Sequence, residues 1–167
     1  MTNDLPYTVI DNFLDYEDFL EIKKLVVEND SFPWFLTENV TGREEDEGKD
    51  CYFTHLFVKD YKANSHLLDH MKIFVDKLNM KEVIRIKANL YPATQTLFTH
   101  GNHVDYHFKN KAAVFCLNTC NGFTIIQDKY KIESVENRII LFEGSDLHCS
   151  TTCTDKLYRV NLNFNYF

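Results

Sequence analysis

Residues 99–108 read THGNHVDYHF, and within them His103-Val104-Asp105 sets an imidazole and a carboxylate two residues apart. Alternate residues of an extended strand point to the same side, so these two side chains can converge on one point. One more histidine completes the two-histidine, one-carboxylate set that holds Fe(II) and leaves other positions open. His148, in GSDLHCSTT (144–152), is placed to be that histidine. Eleven residues beyond it, Arg159 opens the alternating terminal stretch YRVNLNFNYF (158–167). A His-x-Asp pair alone is common by chance. Joined to a distal His and a strand-borne Arg, it becomes the arrangement needed to hold a chelating dicarboxylic acid on a metal.

His100 and His107 compete for the same role. His107 shares the parity of His103 and Asp105, but three alternate residues of one strand span too far to close on a single ion. His66 and His70 have the i, i+4 spacing of helical zinc motifs. Residue 67 is Leu rather than Glu, however, and a surface helix explains them better. Cys149 and Cys153 flank the distal His without a partner motif and read as packing residues.

The strands around the motif follow a period of two. In VIRIKANLY (83–91), Ile84, Ile86, Ala88 and Leu90 form one face, and Arg85, Lys87, Asn89 and Tyr91 the other. The terminal segment repeats this, with Val160, Leu162, Phe164 and Tyr166 opposed to Arg159, Asn161, Asn163 and Asn165. Asn is depleted in strands, so a row of three beside an Arg fits a hydrogen-bonding cavity better than a wet sheet face. Further strands are expected over 112–118, 123–127, 130–135 and 138–142, with Asn121-Gly122 as a hairpin turn because both residues tolerate positive φ. Before residue 83, short strands are expected at 7–10 and 52–58. Two amphipathic helices are expected at about 15–28 and 64–80. The charged run 39–50 (NVTGREEDEGKD) reads as a solvated loop or a flap at the mouth of a site. Two helices followed by about eight short strands predict a mainly β fold: a double-stranded β-helix, the jelly-roll or cupin-like form, with both N-terminal helices packed on one sheet. We expect one domain over 1–167, its helical support at about 1–82 and its β-helix core at about 83–167.

The composition agrees. Aromatics make up 14% of 167 residues, which favours a β-rich fold with an aromatic interior. The net charge of −7 argues against a phosphate-tracking surface while leaving room for a local basic cleft. Five cysteines, an odd number without a CxxC, argue against a disulfide framework. The N-terminal residues show neither a signal peptide nor a transmembrane span. A reducing cytoplasm is expected, that of a host cell if the gene is a phage's.

Beyond about residue 80 the chain resembles the 2-oxoglutarate/Fe(II)-dependent oxygenase superfamily, nearest its prolyl-4-hydroxylase-like branch and that branch's small members in marine bacteriophages. The resemblance rests on Asn89-Leu90-Tyr91-Pro92, His103-Val104-Asp105, Leu117-Asn118, the turn from Glu143 to His148, and Arg159 to Phe167. Ile10-Asp11-Asn12-Phe13-Leu14 is similar to the family's opening strand-to-helix segment. It implies His103, Asp105 and His148 as iron ligands, Arg159 for the C5 carboxylate of 2-oxoglutarate, and Tyr91 near that cosubstrate. Asn161 and Asn163 would share the cavity, and no catalytic residue is expected beyond the ligands. The implied cofactors are Fe(II), 2-oxoglutarate and O2, with ascorbate as an accessory reductant. The implied reaction is hydroxylation, with a protein or peptide side chain favoured as substrate. An oxygenase for a nucleobase or small metabolite and a catalytically silent cupin-like metal-binding module are the alternatives. Two features depart from the family. A Gly-Gly pair that begins a central strand in many peptidyl hydroxylases is Asn121-Gly122 here, and a second cosubstrate tyrosine would fall near Cys116.

Overall fold

The computed structural model describes residues 5–38, 40 and 51–167. Of the charged run 39–50, all but Val40 lies outside the described residues. The strands are β1 (Tyr7–Ile10), β2 (Phe35–Thr37), β3 (Tyr52–Lys59), β4 (Lys62–Ala63), β5 (Val83–Pro92), β6 (Lys111–Cys116), β7 (Cys120–Ile126), β8 (Tyr130–Ser134), β9 (Arg138–Glu143), β10 (His148–Ser150) and β11 (Tyr158–Tyr166). Two helices, α1 (Tyr16–Val26) and α2 (Lys72–Lys77), lie among the first four and before β5. One sheet runs β1-β9-β6-β11-β5-β3-β2 with β4 paired to β3, and a smaller one runs β10-β7-β8. Every pairing among them is antiparallel. From β5 onward the chain passes back and forth between the sheets, the winding of a jelly roll. The region before residue 83 is not helical support alone, since β1, β2 and β3 extend the large sheet on both sides.

Alternation along the strands decides what each face of the large sheet meets. Val160, Leu162 and Phe164 of β11, Ala113 and Phe115 of β6, and Ile86 and Ala88 of β5 point to the helices and join one buried core. Phe74 of α2 lies 4.8 Å from Phe164 and 4.9 Å from Phe115, ring centre to ring centre. Phe19 of α1 meets Phe115 at 6.2 Å. Each such buried side chain stabilises the fold by about 1.5–3 kcal/mol over an exposed one. The opposite face splits in two. On β6 and β9, Ala112, Val114, Ile140 and Phe142 pack with Ile126 and Ile132 of the small sheet in a second core. On β5 and β11 the same face carries only the polar set, paired across the strands as Arg159/Tyr91, Asn161/Asn89, Asn163/Lys87 and Asn165/Arg85. The space between the sheets is therefore apolar at one side and polar at the other.

α1 forms where expected. Phe19, Ile22 and Val26 recur at helical spacing and are buried, with Glu17 and Asp18 in the first turn and Lys23 and Lys24 in the last, matching the helix dipole. The second helix is shorter than the 64–80 span predicted from periodicity: one 3₁₀ turn, Leu68–Met71, then α2. Its predicted first turn is tied down elsewhere. Asn64 donates its backbone N–H to Phe57 O and its side-chain amide to Leu56 O, and Ser65 Oγ accepts from Leu67 N. Asn79, at φ 50°, stops it at the other end. Asn121-Gly122 is not a hairpin turn either. Both residues lie inside β7, where the pairing with β8 shifts register between Cys120 and Phe123. The β7–β8 connection is instead the three residues Gln127-Asp128-Lys129, with Gln127 and Asp128 at positive φ (52° and 54°) and Lys129 N–H bonded to Ile126 O.

Candidate metal and cosubstrate site

His103 and His148 lie on neighbouring segments joined by a β-bridge. Each backbone N–H bonds the other's carbonyl at 2.9 Å, and a second bridge joins Thr99 to Thr151. The residues between 99 and 103 thus run along the edge of the small sheet beside β10. Asp105 lies just past the bridge in a bend, its N–H bonded to Gly144 O at 3.1 Å. His103 and Asp105 therefore turn toward each other, although the bridge ends at His103 and Asp105 lies beyond it.

One donor atom from each of His103, Asp105 and His148 lies within 4.8 Å of the others. Small side-chain rotations bring three such atoms to the roughly 2.0–2.2 Å that a first-row metal requires. The ring nitrogens are already sorted. His148 Nδ1 is 2.8 Å from Asp146 O and His103 Nδ1 is 3.3 Å from Gly101 O. A carbonyl only accepts, so each ring donates from Nδ1 and leaves Nε2 as the atom turned toward Asp105. Those Nε2 atoms are 4.0 and 3.7 Å from Asp105 oxygens. Asp105 is fixed by two donors: Arg85 Nη2 to Oδ1 at 2.5 Å and Asn165 Nδ2 to Oδ2 at 2.9 Å. Burial alone would raise its pKa, but the Arg85 guanidinium, helped by its other neighbours, outweighs burial and holds it well below the usual carboxylate range. Burial and the neighbouring His148 push His103 down to about 4. At neutral pH the set is one carboxylate with an unprotonated His103, the state a metal needs.

Neither His100 nor His107 joins this group. His107 is exposed, and His100 is buried against Tyr91 (5.0 Å) with Nδ1 at Ser150. His66 and His70 are both exposed. A second set of donor types, Cys120, Cys153 and Asp155, also lies within 4.8 Å. Burial pushes the Cys153 thiol up, away from the thiolate that a metal binds, and the exposed Asp155 is held by Asn121 N–H. Cys149 and Cys153 are buried, as packing residues would be.

A cavity of about 120 Å³ opens beside the triad. Arg85, Lys87, Asn89 and Tyr91 of β5, and Asn161 and Asn163 of β11, line it together with Thr124. Arg159 lies immediately behind this wall and is fully buried. Its Nη1 donates to Thr151 O at 3.1 Å, its Nη2 to Thr124 Oγ1 at 2.9 Å, and its Cζ sits 5.8 Å from the centre of the Tyr91 ring. Its Nε has no partner among the described residues, and no carboxylate among them faces the guanidinium. Thr124 is a site residue that sequence reasoning misses. A threonine in an alternating strand carries no signal until the strand that brings Arg159 alongside is known.

Gly122, the glycine this chain keeps of that Gly-Gly pair, has a packing reason. A Cβ built at Gly122 would stand 2.6 Å from Thr152 O and 2.8 Å from Arg159 Cδ. The Arg159 side chain passes where that carbon would be. Gly122→Ala should lower stability by about 1–3 kcal/mol, read from the urea midpoint. An unchanged midpoint would mean that Arg159 shifts freely.

Comparison with solved structures places this geometry. A 2OG-Fe(II) oxygenase-family oxidoreductase from Burkholderia pseudomallei superposes with a TM-score of 0.71 at 14% identity, over 96% of this chain and 84% of that one. The viral collagen prolyl hydroxylase of Paramecium bursaria Chlorella virus-1, in its 2OG complex, gives 0.62 at 13% identity over 99% and 97%. A prolyl hydroxylase from Trichoplax adhaerens, in complex with a hypoxia inducible factor peptide fragment, gives 0.60 at 12% over 99% and 84%. This chain has the fold of the 2-oxoglutarate/Fe(II) oxygenases. No protein-family model and no curated protein matches its sequence. Among the described residues, no helix of this oxygenase fold is long and apolar enough to cross a membrane.

Proposed function

We propose that the chain is an Fe(II)- and 2-oxoglutarate-dependent dioxygenase, one domain over 1–167, that hydroxylates a protein or peptide side chain. The observation that carries this reading is a buried cation without a counter-charge, set behind one wall of a cavity whose other wall holds the triad. An unpaired buried guanidinium is costly. A dicarboxylic cosubstrate reaching from the triad to Arg159 would supply the missing anion. Tyr91 and Thr124 line the same route. The donor set of two imidazoles and one carboxylate suits Fe(II) and leaves positions open. When bound there, Fe(II) supplies the reaction of 2-oxoglutarate, O2 and a C–H bond to succinate, CO2 and an alcohol.

The chain's own residues position and exclude. Each of the two imidazoles is held by a backbone carbonyl at Nδ1, and Arg85 keeps Asp105 ionised. The apolar half of the interior (Val114, Ile126, Ile140) restricts water. Peptide substrates are favoured because two of the structural neighbours are prolyl hydroxylases, one of them with a peptide bound. Free thiols and a loosely held Fe(II) fit a reducing cytoplasm, with ascorbate as accessory reductant. The test is succinate release from 2-oxoglutarate in air with added Fe(II). Iron-dependent succinate formation is expected, and its absence at every iron concentration would overturn the reading in favour of a silent cupin-like module.

A further inference from the structure

The cavity has a cation that neither the triad nor Arg159 accounts for. Lys87 faces it from the middle of β5, opposite Asn163. Its ammonium donates to the Tyr52 hydroxyl at 3.3 Å and lies 5.4 Å from that ring's centre. Among the described residues it has no carboxylate within ion-pair distance. Of the described acids nearby, Asp105 is already engaged by Arg85 and Asp60 makes no ion pair with Lys87. Burial and the neighbouring Arg85 push Lys87 down to about 7, the mark of a cation that lacks an anion. Lys87 and Arg85 also line a second depression, a groove of about 310 Å³ on the same sheet face, over β3, together with Tyr52, Tyr106, Lys59 and Asp60. The two residues thus stand at a junction, with the triad on one side and an open surface on the other.

Charge decides what this junction can receive. With Asp105 paired to Arg85 and a dicarboxylate assigned to Arg159 and the metal, Lys87 has no answering charge among the described residues. In a chain of net charge −7, such a local excess of cations is not a by-product of composition. Substrates enter from a surface, and the groove is a surface that shares residues with the cavity. We propose that the substrate oxidised at this site carries a carboxylate, received by Lys87 as the substrate passes from the groove to the triad. One free ammonium answers one negative charge, and the overall acidity of the chain disfavours a polyphosphate backbone. This inference rests on the oxygenase reading above.

The test compares wild type, Lys87→Met and Lys87→Glu, each supplied with Fe(II) and 2-oxoglutarate. Two pools are offered: C-terminally amidated peptides with acidic, neutral or basic side chains, and small carboxylic acids together with their amides and amines. Products are found by mass spectrometry as species that gain one oxygen. The wild-type products should carry a carboxylate, and the pool in which they occur tells a peptide side chain from a free acid. For the best product, the preference for the carboxylate over its amide analogue should fall about 10- to 100-fold in Lys87→Met and invert in Lys87→Glu. A binding readout needs no turnover. In metal-free protein, N-acetylglycine should slow reductive methylation of Lys87, and its neutral analogue N-acetylglycinamide should not. Products that are neutral, basic or phosphorylated would overturn the proposal. So would succinate without product in either pool, or an acid-to-amide preference unmoved by Lys87→Met. A raised KM for 2-oxoglutarate in Lys87→Met would assign Lys87 to the cosubstrate and overturn it too. Absence of succinate from wild type marks failure of the oxygenase reading itself.

Discussion

Asp105→Asn is expected to abolish iron-dependent succinate formation while leaving the chain folded. The substitution keeps the shape of the side chain, but removes the negative charge and offers a neutral oxygen in place of a carboxylate. Changing a residue that merely orients a metal ligand typically costs about 10–100-fold in affinity or activity, and losing the charged ligand should cost more. His103→Ala and His148→Ala should act alike, because each removes one of the three atoms that meet within 4.8 Å. Asp105→Ala is the poorer variant: both substitutions remove the charge that answers Arg85, but Ala also removes the oxygen that accepts from it, so inactivity there would mix unfolding with metal loss. Metal binding can be followed by Mn(II) titration, and folding by circular dichroism. In wild type, chelation should stop the reaction and Fe(II) restore it, whereas Zn(II) should occupy the triad without activity, since affinity order does not favour iron. Activity surviving thorough chelation, or full activity in Asp105→Asn, would dismiss the triad as the metal centre.

The parts of this molecule that can be read from sequence are those governed by side-chain alternation. Val160, Leu162 and Phe164 face the helices because the strand leaves them no other side, and the same parity turns Asn161 and Asn163 into the cavity. His148 is legible as partner to His103 because few other histidines have a plausible position. What escapes is set by contacts distant in sequence. Asn64 and Ser65 look like the start of a helix until β3 lies beside them and takes the Asn64 hydrogen bonds. Gly122 looks like a turn until Arg159 is seen to need the space. Gln127-Asp128-Lys129 makes the hairpin connection without the usual Asn-Gly, while Gln127 N–H bonds Leu147 O from the segment that delivers His148. The charge balance is hidden for the same reason: only the folded sheet shows that Arg85 is answered by Asp105 and that Arg159 has no carboxylate among the described residues.

That unanswered charge leads to the second large effect. Arg159→Ala should raise the KM for 2-oxoglutarate by about 10²–10³-fold, the equivalent of about 3–4 kcal/mol, for a buried charged group deprived of its partner. Metal affinity should stay unchanged, because the hydrogen bonds of Arg159 go to Thr151 and Thr124 rather than to His103, Asp105 or His148. Arg159→Lys should recover only part of the loss. An ammonium restores the charge but cannot hold Thr151 O and Thr124 Oγ1 while presenting a planar fork to a carboxylate. Thr124→Val separates the two contributions: it keeps the volume and the guanidinium but removes the hydroxyl on the cavity wall, and should give a smaller rise in KM than Arg159→Ala. Succinate release against 2-oxoglutarate concentration for the four proteins measures all three effects. If Arg159→Ala leaves KM unchanged, the cosubstrate carboxylate is held elsewhere. Lys87 is then the cation in position to hold it, since Arg85 is committed to Asp105 and Asn163. Arg159 would in that case serve only to tie β11 to Thr151 and Thr124, and its substitution should appear in the urea midpoint rather than in the kinetics.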